Sequence, residues 1–548
     1  MMINFEESLR LLLQNQGQET CFLLKSGDEF LAEYPVASLN RLERLLGFTG
    51  SAGVAIFTFR AGRLCKYFLT DSRYLLQAPK QLDGFEVINM QTKPLLTFLA
   101  EAGIKTILTN TKLCSINFAE AIGVAGIELS DNNLDEDLLQ INYKNISGEE
   151  LLFYSGEAEE AEVFGKTRVQ KLQILSEYIK FKRCDAMFLH DPLDVNYILN
   201  IRGNDFACVP ALACFAFVMA SGDFVLLKNN DLYTLPQFLT RGFKVLIGSS
   251  ASFYCKQLLL QNGINPLLTK DSFVEGLRSV KNQTEIAHQL KACVKDSLVL
   301  NRFLQDRVIN RADIAQQTEA SLADELFAMR SEADGFLQNS FDTISAFGAN
   351  GAVVHYKPSK NLSANLSGDG LYLLDSGAHY KYGTTDITRT VLIGKARQEW
   401  ITNFTLVLKG HIAIASLIFK QGTSGADIDA LARQHLWASG LDYGHGTGHG
   451  VGFLLSVHEG PCGISRGCKI PLAPGMVISN EPGYYKQDEY GIRLENLLLV
   501  EDSHHQGFLQ FKTITFVDFD DRLIDYQALD AKELDWLLKY RGEVKNLR

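Results

Sequence analysis

Two aspartates fix what the last third of this chain can become. In Leu371–Thr390, LYLLDSGAHYKYGTTDITRT, an apolar run ends in Asp375. Gly377 and Gly383 mark a turn region, and Asp386 then opens a β-branched run to Ile393. The pattern predicts two antiparallel strands joined by a short loop, each presenting one carboxylate to the core. A buried aspartate is costly unless it is paired or holds a cation, and two side by side repel. A metal ion is the natural partner, although acids beside a hairpin turn are also commonly solvated.

The rest of the chain sets the frame. A chain of 548 residues is too long for one core, so three domains are expected. A net charge of −11 leaves no basic surplus for neutralising phosphates, which argues against a nucleic-acid partner. The start, MMINFEESLRLLLQ, has acids where a signal peptide needs bases and reads as an amphipathic helix. The longest apolar run, Cys208–Ala220, contains Pro210 and is too short to span a bilayer, so no membrane association is expected. Ten scattered cysteines without a CxxC pair suggest reduced thiols in a cytoplasmic protein.

Strand-like runs Cys21–Leu24, Val54–Phe59 and Tyr67–Leu69 occupy the first segment. GFTGSAG (Gly47–Gly53) lacks nucleotide-binding spacing and reads as a tight strand connection. Asp71-Ser72-Arg73-Tyr74 reads as a helix start, with Arg73 as a solvated or structural arginine. The acidic patch Gly156–Glu162 marks a boundary. Beyond it come a helix at about 160–180 and a second alternation of strands and helices, which suggests a duplicated α/β domain. From about Ser279 long helices (281–307, 314–331) give way to glycine-rich strands. Helices at 398–419 and after Ser424, with a capping box to Asp427, interrupt these strands, and a short helix at 530–540 closes the chain.

Four further patterns strengthen the aspartate pair. Gly444-His445-Gly446-Thr447-Gly448-His449-Gly450 is too glycine-rich for a helix, so its histidines sit on a loop or irregular strand. Val457-His458-Glu459-Gly460-Pro461 adds a third histidine. In Asn480-Glu481-Pro482-Gly483-Tyr484 an acid ends a strand. In Gly491-Ile492-Arg493-Leu494-Glu495-Asn496, alternation places Arg493 and Glu495 on one face. Taken singly, these are a core histidine, a turn acid and a surface ion pair. Together, acids and histidines recur at strand ends of one apolar domain. Four converging carboxylates with one imidazole suit two divalent cations, Mn²⁺ foremost with Co²⁺ or Zn²⁺ as alternatives, and such a pair does hydrolase chemistry.

Asp375, Asp386, His449, Glu481 and Glu495, in this order, resemble the five dinuclear-metal ligands of the creatinase/methionine-aminopeptidase "pita-bread" fold. SFDTISAFGANGAVVHY (Ser340–Tyr356), VLKGHIAIA (Val407–Ala415), LDYGHGTGHGVGFLLSVHEGP (Leu441–Pro461) and NEPGYY…GIRLEN resemble, more specifically, the large three-domain cytosolic form of Xaa-Pro aminopeptidase. Weaker likeness runs upstream through GFTGSAG, DSRYLLQA (Asp71–Ala78) and LDVNYILNIRGND (Leu193–Asp205). The resemblance implies an α/β (α+β) chain. Two creatinase-like domains, 1–157 and 158–278, would precede a pita-bread metallopeptidase domain, 279–548. It makes Asp375 a terminal ligand of one metal and His449 and Glu481 ligands of the other, with Asp386 and Glu495 bridging. His355 and His458 would contact substrate and transition state, His445 would share their pocket, and Arg73 would bind substrate. Arg493 would orient a ligand. The family usually carries a further helical tail, whereas this chain ends soon after LDWLLKYRGEV.

The implied reaction is hydrolysis of the bond between an N-terminal residue and a penultimate proline. A metal-bridging hydroxide would attack, His458 or His355 with the metal would stabilise the oxyanion, and Glu481 would carry the proton. Peptides with proline at position two are the expected partners, and a homodimer is the expected assembly. The rival in the same chemistry is prolidase, which cleaves dipeptides; methionine aminopeptidase does not need two such N-terminal domains. The rival from another class is an inactive pita-bread domain used as a binding module, which predicts lost ligands; all five are present here.

Overall fold

The apolar run near residue 21 forms the strand Thr20–Lys25 in a computed structural model of the chain, which describes residues 2–547 apart from 153, 155 and 362. This strand is the pivot of a six-stranded sheet. It runs antiparallel to Val54–Arg60, which pairs antiparallel with Arg63–Thr70, and parallel to Thr106–Thr109, which pairs parallel with Glu128–Asp131. Glu86–Asn89 adds a parallel edge strand. The strand Ala186–Leu189 repeats the plan. It pairs antiparallel with Cys214–Met219, which pairs with Phe224–Lys228, and parallel with Lys244–Gly248, which pairs with Asn265–Thr269. A helix precedes each pivot, Met2–Gln14 and Arg168–Phe181. The duplication suspected from alternation is therefore real at the level of strand order. Both sheets lie in one compact unit, Met1–Glu160 with Lys166–Val274.

Several predicted elements are divided differently. The expected helix at 160–180 is two helices, Glu157–Phe164 and Arg168–Phe181. Gly165 breaks it with φ +67°, and Thr167 restarts it through a capping box with Gln170. No helix begins at Asp71. Its Oδ1 accepts from the Arg73 backbone N–H at 3.0 Å, a local turn that competes with helix, and the next helix is Ala78–Gln81. Gly47–Gly53 links a helix, Arg41–Leu46, to a strand rather than strand to strand. The span 314–331 is a 3₁₀ turn followed by the helix Glu319–Ser331, capped by Thr318.

The second unit, Ala161–Gly165 with Glu275–Arg548, contains the two aspartates. Strand Gly370–Ser376 lies between Ile344–Phe347 and Ile387–Ile393, antiparallel to both. Tyr372 and Leu374 pack with Leu300, Phe303, Leu322 and Leu326 from the helices Gln283–Phe303 and Glu319–Ser331. Leu371 packs in a different cluster, with Phe404 and Leu408 of the helix Gln398–Ala415. Both faces are buried, which explains the unbroken apolar run. The predicted short loop between the aspartates is instead a pair of strands, Ala378–Tyr380 and Gly383–Thr384, paired with each other; the first also pairs with Phe336–Asn339. Gly377 is required at the crossing, because a Cβ there would sit 2.0 Å from the Thr385 carbonyl oxygen.

Asp296 and Arg330, both fully buried, hold this crossing in place. Arg330 Nε and Nη2 donate to the two carboxylate oxygens at 2.8 and 2.9 Å, and the hydroxyls of Tyr380 and Thr385 donate to the same carboxylate. Removing one partner strands a buried charge. Arg330→Met should therefore lose about 3–5 kcal/mol of stability, read as a lower urea midpoint; an unchanged midpoint would contradict the pairing.

In the first unit His190 is buried and stacked on Phe215 at 4.7 Å, and its Nε2 has no partner among the described residues. Burial pushes its pKa down to about 3. The unfolded chain takes up this proton near pH 6.5 and the native chain only near 3. Stability from this group is complete above the unfolded value and falls as pH drops, by about 1.4 kcal/mol per pH unit. As pH falls through this window the urea midpoint of wild type should drop relative to that of a His190→Leu variant, which has no such proton to take up.

Candidate metal centre

Strands of the second unit place each ligand-type side chain, the four acids at or next to a strand end. Asp375 lies opposite Ile344 and Thr388 in the three-stranded sheet. Asp386 follows Thr385, whose hydroxyl is bound by Asp296 and whose carbonyl accepts from the Ser340 hydroxyl. Glu495 lies between the strands Tyr490–Arg493 and Asn496–Asp502, and its N–H donates to the Thr388 carbonyl. His449 is central in the short strand Gly448–Gly450, opposite Gly463. Glu481 follows the strand Val477–Asn480, and its N–H donates to the Thr447 carbonyl at 2.8 Å.

The side chains converge. Ligand atoms of Asp386, His449 and Glu495 lie within 4.8 Å of one another. His449 Nε2 is 3.5 Å from both Asp386 Oδ2 and Glu481 Oε1. Its Nδ1 lies 2.9 Å from the Gly450 carbonyl oxygen, which assigns the proton to Nδ1 and turns the Nε2 lone pair toward the carboxylates. Burial, then the repulsion of Asp375 and Glu481, holds the Asp386 carboxyl well above the usual range. Burial and the Asp386 charge do the same to Glu495, and burial with Glu495 pushes Glu481 up to about 7. Asp375 Oδ1 is buried without a hydrogen-bond partner among the described residues. Oxygen-rich, mutually repelling and under-donated, this set fits hard or borderline divalent cations.

Arg493 does not pair directly with Glu495, as strand alternation suggested. Its Nη2 donates to Asp375 Oδ2 at 2.6 Å, and it reaches Glu495 through Thr388, whose hydroxyl donates to Glu495 Oε2 at 2.8 Å and accepts from Arg493 Nε at 3.3 Å. Arg493 Nη1 donates to the Tyr485 hydroxyl, which lies 2.8 Å from His445 Nε2. Tyr485 and Thr388 were missed in the sequence. Tyr485 follows Tyr484 in the GYY of a quoted motif, and alternation along Gly483–Lys486 would have placed only one of the two tyrosines inward.

Among the other predicted residues, His458 has its ring 4.4 Å from that of His449. His445 Nδ1 is 4.0 Å from Glu481 Oε2. His355 is half-buried and follows Val354, whose carbonyl accepts from Arg493 Nη2 at 3.4 Å. Arg73 belongs to the first unit, where Asp71 holds its guanidinium through Nε and Nη2 at 2.9 and 2.7 Å and Glu33 lies 3.5 Å away.

Residues 287–502 match the model of metallopeptidase family M24, residues 158–234 the creatinase/prolidase N-terminal domain, and residues 507–547 the C-terminal region of the M24 peptidases. A probable Xaa-Pro aminopeptidase P of Neurospora crassa is 34% identical over 603 residues, covering 100% of this chain and 86% of the relative. The chain belongs to the Xaa-Pro aminopeptidases of metallopeptidase family M24. Xaa-Pro aminopeptidase 1 of Dictyostelium discoideum is 32% identical, covering 98% and 92%. Among solved structures, the X-prolyl aminopeptidase of Caenorhabditis elegans, a cytosolic enzyme with a di-nuclear active site, superposes with a TM-score of 0.88 at 29% identity, covering 100% and 96%. The C-terminal match includes the helix Ala531–Asn546, longer than the helix expected at 530–540.

If the repulsion is real, a cation should relieve it. Chelator-stripped protein should gain thermal stability as Mn²⁺ is added, by about 2.7 kcal/mol at a hundredfold excess over Kd. Most of that gain should vanish in Glu495→Gln; a midpoint indifferent to Mn²⁺ in the wild type would contradict the electrostatic reading.

Proposed function

We propose that this chain hydrolyses the bond between an N-terminal residue and a proline at position two of a peptide. Two divalent cations, Mn²⁺ foremost, would be held by Asp375, Asp386, His449, Glu481 and Glu495. The observation that carries this reading is the convergence of Asp386, His449, Glu481 and Glu495, with the Asp375 charge acting on Asp386, in a chain similar to Xaa-Pro aminopeptidases along its whole length. The di-nuclear site of the C. elegans enzyme supports the pair of cations. Its cytosolic location, with ten free cysteines here, supports a cytoplasmic one. Among the described residues no helix is long and apolar enough to cross a membrane. A homodimer and the three-domain division at 157 and 278 belong to the same proposal.

Held by these residues, two cations would acidify the attacking water and polarise the scissile carbonyl. The protein's residues do the rest. Glu481, anchored through its own N–H to Thr447, takes the proton of the attacking water and delivers it to the proline nitrogen as the C–N bond breaks. Without that proton the nitrogen would have to leave as a strongly basic amide anion. His458, beside His449, and His355 donate to the carbonyl oxygen as it becomes negative. His445 has Nδ1 against the Gly446 carbonyl and Nε2 against the Tyr485 hydroxyl, an arrangement that suits shaping the pocket rather than moving a proton. Arg73 binds substrate in this reading.

Chelator-stripped protein reloaded with Mn²⁺ should release the first residue of an Xaa-Pro-Pro peptide. Glu481→Ala should lower kcat by about 10²–10⁴-fold. Cleavage confined to an Xaa-Pro dipeptide would move the assignment to prolidase. No turnover with metal bound would favour a binding module.

A further inference from the structure

The glycine-rich segment that leads into the short strand of His449 has little conformational preference of its own. Between residues 444 and 450 every second residue is glycine, leaving only His445, Thr447 and His449 with side chains. Glycine maximises backbone freedom, so the order of this loop must come from outside it.

We propose that Asp429 and Arg433, acting through Thr447, are positioning residues that set the affinity of the centre for metal. Both lie on the helix Gly425–Ala438, one turn apart. Arg433 Nε donates to Asp429 Oδ2 at 2.8 Å. Its Nη1 donates to the Tyr443 carbonyl at 2.7 Å and to Asp442 Oδ1 at 2.9 Å, and its Nη2 donates to the His445 carbonyl at 2.7 Å. The other Asp429 oxygen accepts from the Thr447 hydroxyl at 2.6 Å, and the Tyr443 hydroxyl, 2.5 Å from Thr447 Oγ1, donates to it in turn. Residues 443, 445 and 447 are thus each tied to the Asp429–Arg433 pair. Asp429, Arg433 and Thr447 are 1%, 4% and 0% exposed, so water cannot replace these bonds.

Thr447 is where the clamp meets the site. Its hydroxyl faces Asp429, while its carbonyl accepts the N–H of Glu481 at 2.8 Å. Two residues on, His449 presents Nε2 to Asp386 and Glu481. One hydroxyl therefore registers a histidine and a carboxylate that come from different strands. Gly448 leaves the loop no room to shift toward the neighbouring strand, since a Cβ there would lie 1.9 Å from the Ser479 carbonyl oxygen. Outer partners that orient metal-binding side chains typically change affinity by 10–100-fold when removed.

The inference rests on reading this centre as a metal site. The test is calorimetric titration of Mn²⁺ into the chelator-stripped full chain, with a thermal midpoint for each variant. Thr447→Val keeps the shape and removes the hydroxyl, and should bind Mn²⁺ about 10–100-fold more weakly than wild type. Thr447→Ser restores the hydroxyl and should bind like wild type. A Thr447→Val variant with a lowered midpoint and wild-type Mn²⁺ affinity would overturn the clamp and leave the metal reading intact. A wild type that takes up no Mn²⁺ would overturn both. Should Thr447→Val not fold, Asp429→Asn, which weakens the hold on Arg433, is read by the same affinity criterion.

Discussion

Mutual repulsion among Asp375, Asp386, Glu481 and Glu495 is the constraint that the second unit is built around. Burial disfavours the charge of Asp386, Glu481 and Glu495, and neighbouring carboxylates of the cluster add to that penalty against the opposing pull of Arg493. A structure that concentrates charge in this way needs either protons or cations to persist. Among the described residues Arg493 is the only arginine or lysine ion-paired with any of the four. One guanidinium leaves a surplus of negative charge, so protons or cations have to supply the remainder of the compensation.

Such a cluster survives only on a frame that cannot relax away from it. The carboxylates sit at the ends of strands whose apolar residues pack into separate clusters on their two faces, so sliding a strand by one residue would exchange core for pocket. The crossing between the aspartates is tied down by a fully buried arginine–aspartate pair and by a glycine that admits a close backbone contact. Arg493 then joins Asp375, Glu495 through Thr388, and His445 through Tyr485 into one hydrogen-bonded chain. The stiffness of the sheets is what lets side chains with reason to separate stay together.

How much of this could be read from the letters depends on range. The ligand-type residues were legible because chemistry at strand ends leaves local marks: an acid closing an apolar run, histidines among glycines. The duplicated sheet was visible only as alternation, because strand order is a long-range property that two diverged segments share without sharing residues. The boundaries that failed were decided locally by groups with two options. Asp71 bonds its own chain in a turn instead of capping a helix, and Gly165 with Thr167 ends one helix and starts another where the hydrophobic pattern runs on. The partners of the site were least legible of all. Thr388, Tyr485 and the Asp429–Arg433 pair reach it from separate strands and a helix, and nothing in a linear pattern distinguishes Asp429 in its helix from an ordinary i,i+4 ion pair with Arg433.

Buried acids elsewhere in the same unit show what separates a structural carboxylate from one kept for a ligand. Glu319 accepts from the backbone N–H groups of Phe347 and Ala364, from Asn350 and from the Tyr356 hydroxyl. Asp296 is filled by Arg330, Tyr380 and Thr385, and Glu459 by Arg278 and Lys281. Each oxygen of these acids has at least one donor from within the chain. Asp375 keeps one buried oxygen without a donor, and Glu495 has a single hydroxyl from Thr388. Since native proteins satisfy buried polar atoms almost without exception, acids left short of donors in one pocket are where the proposed cations fit. Burial alone would have grouped Asp375 and Glu495 with these three. The supply of donors separates Asp296, Glu319 and Glu459, well provided from within the chain, from Asp375 and Glu495, which are not.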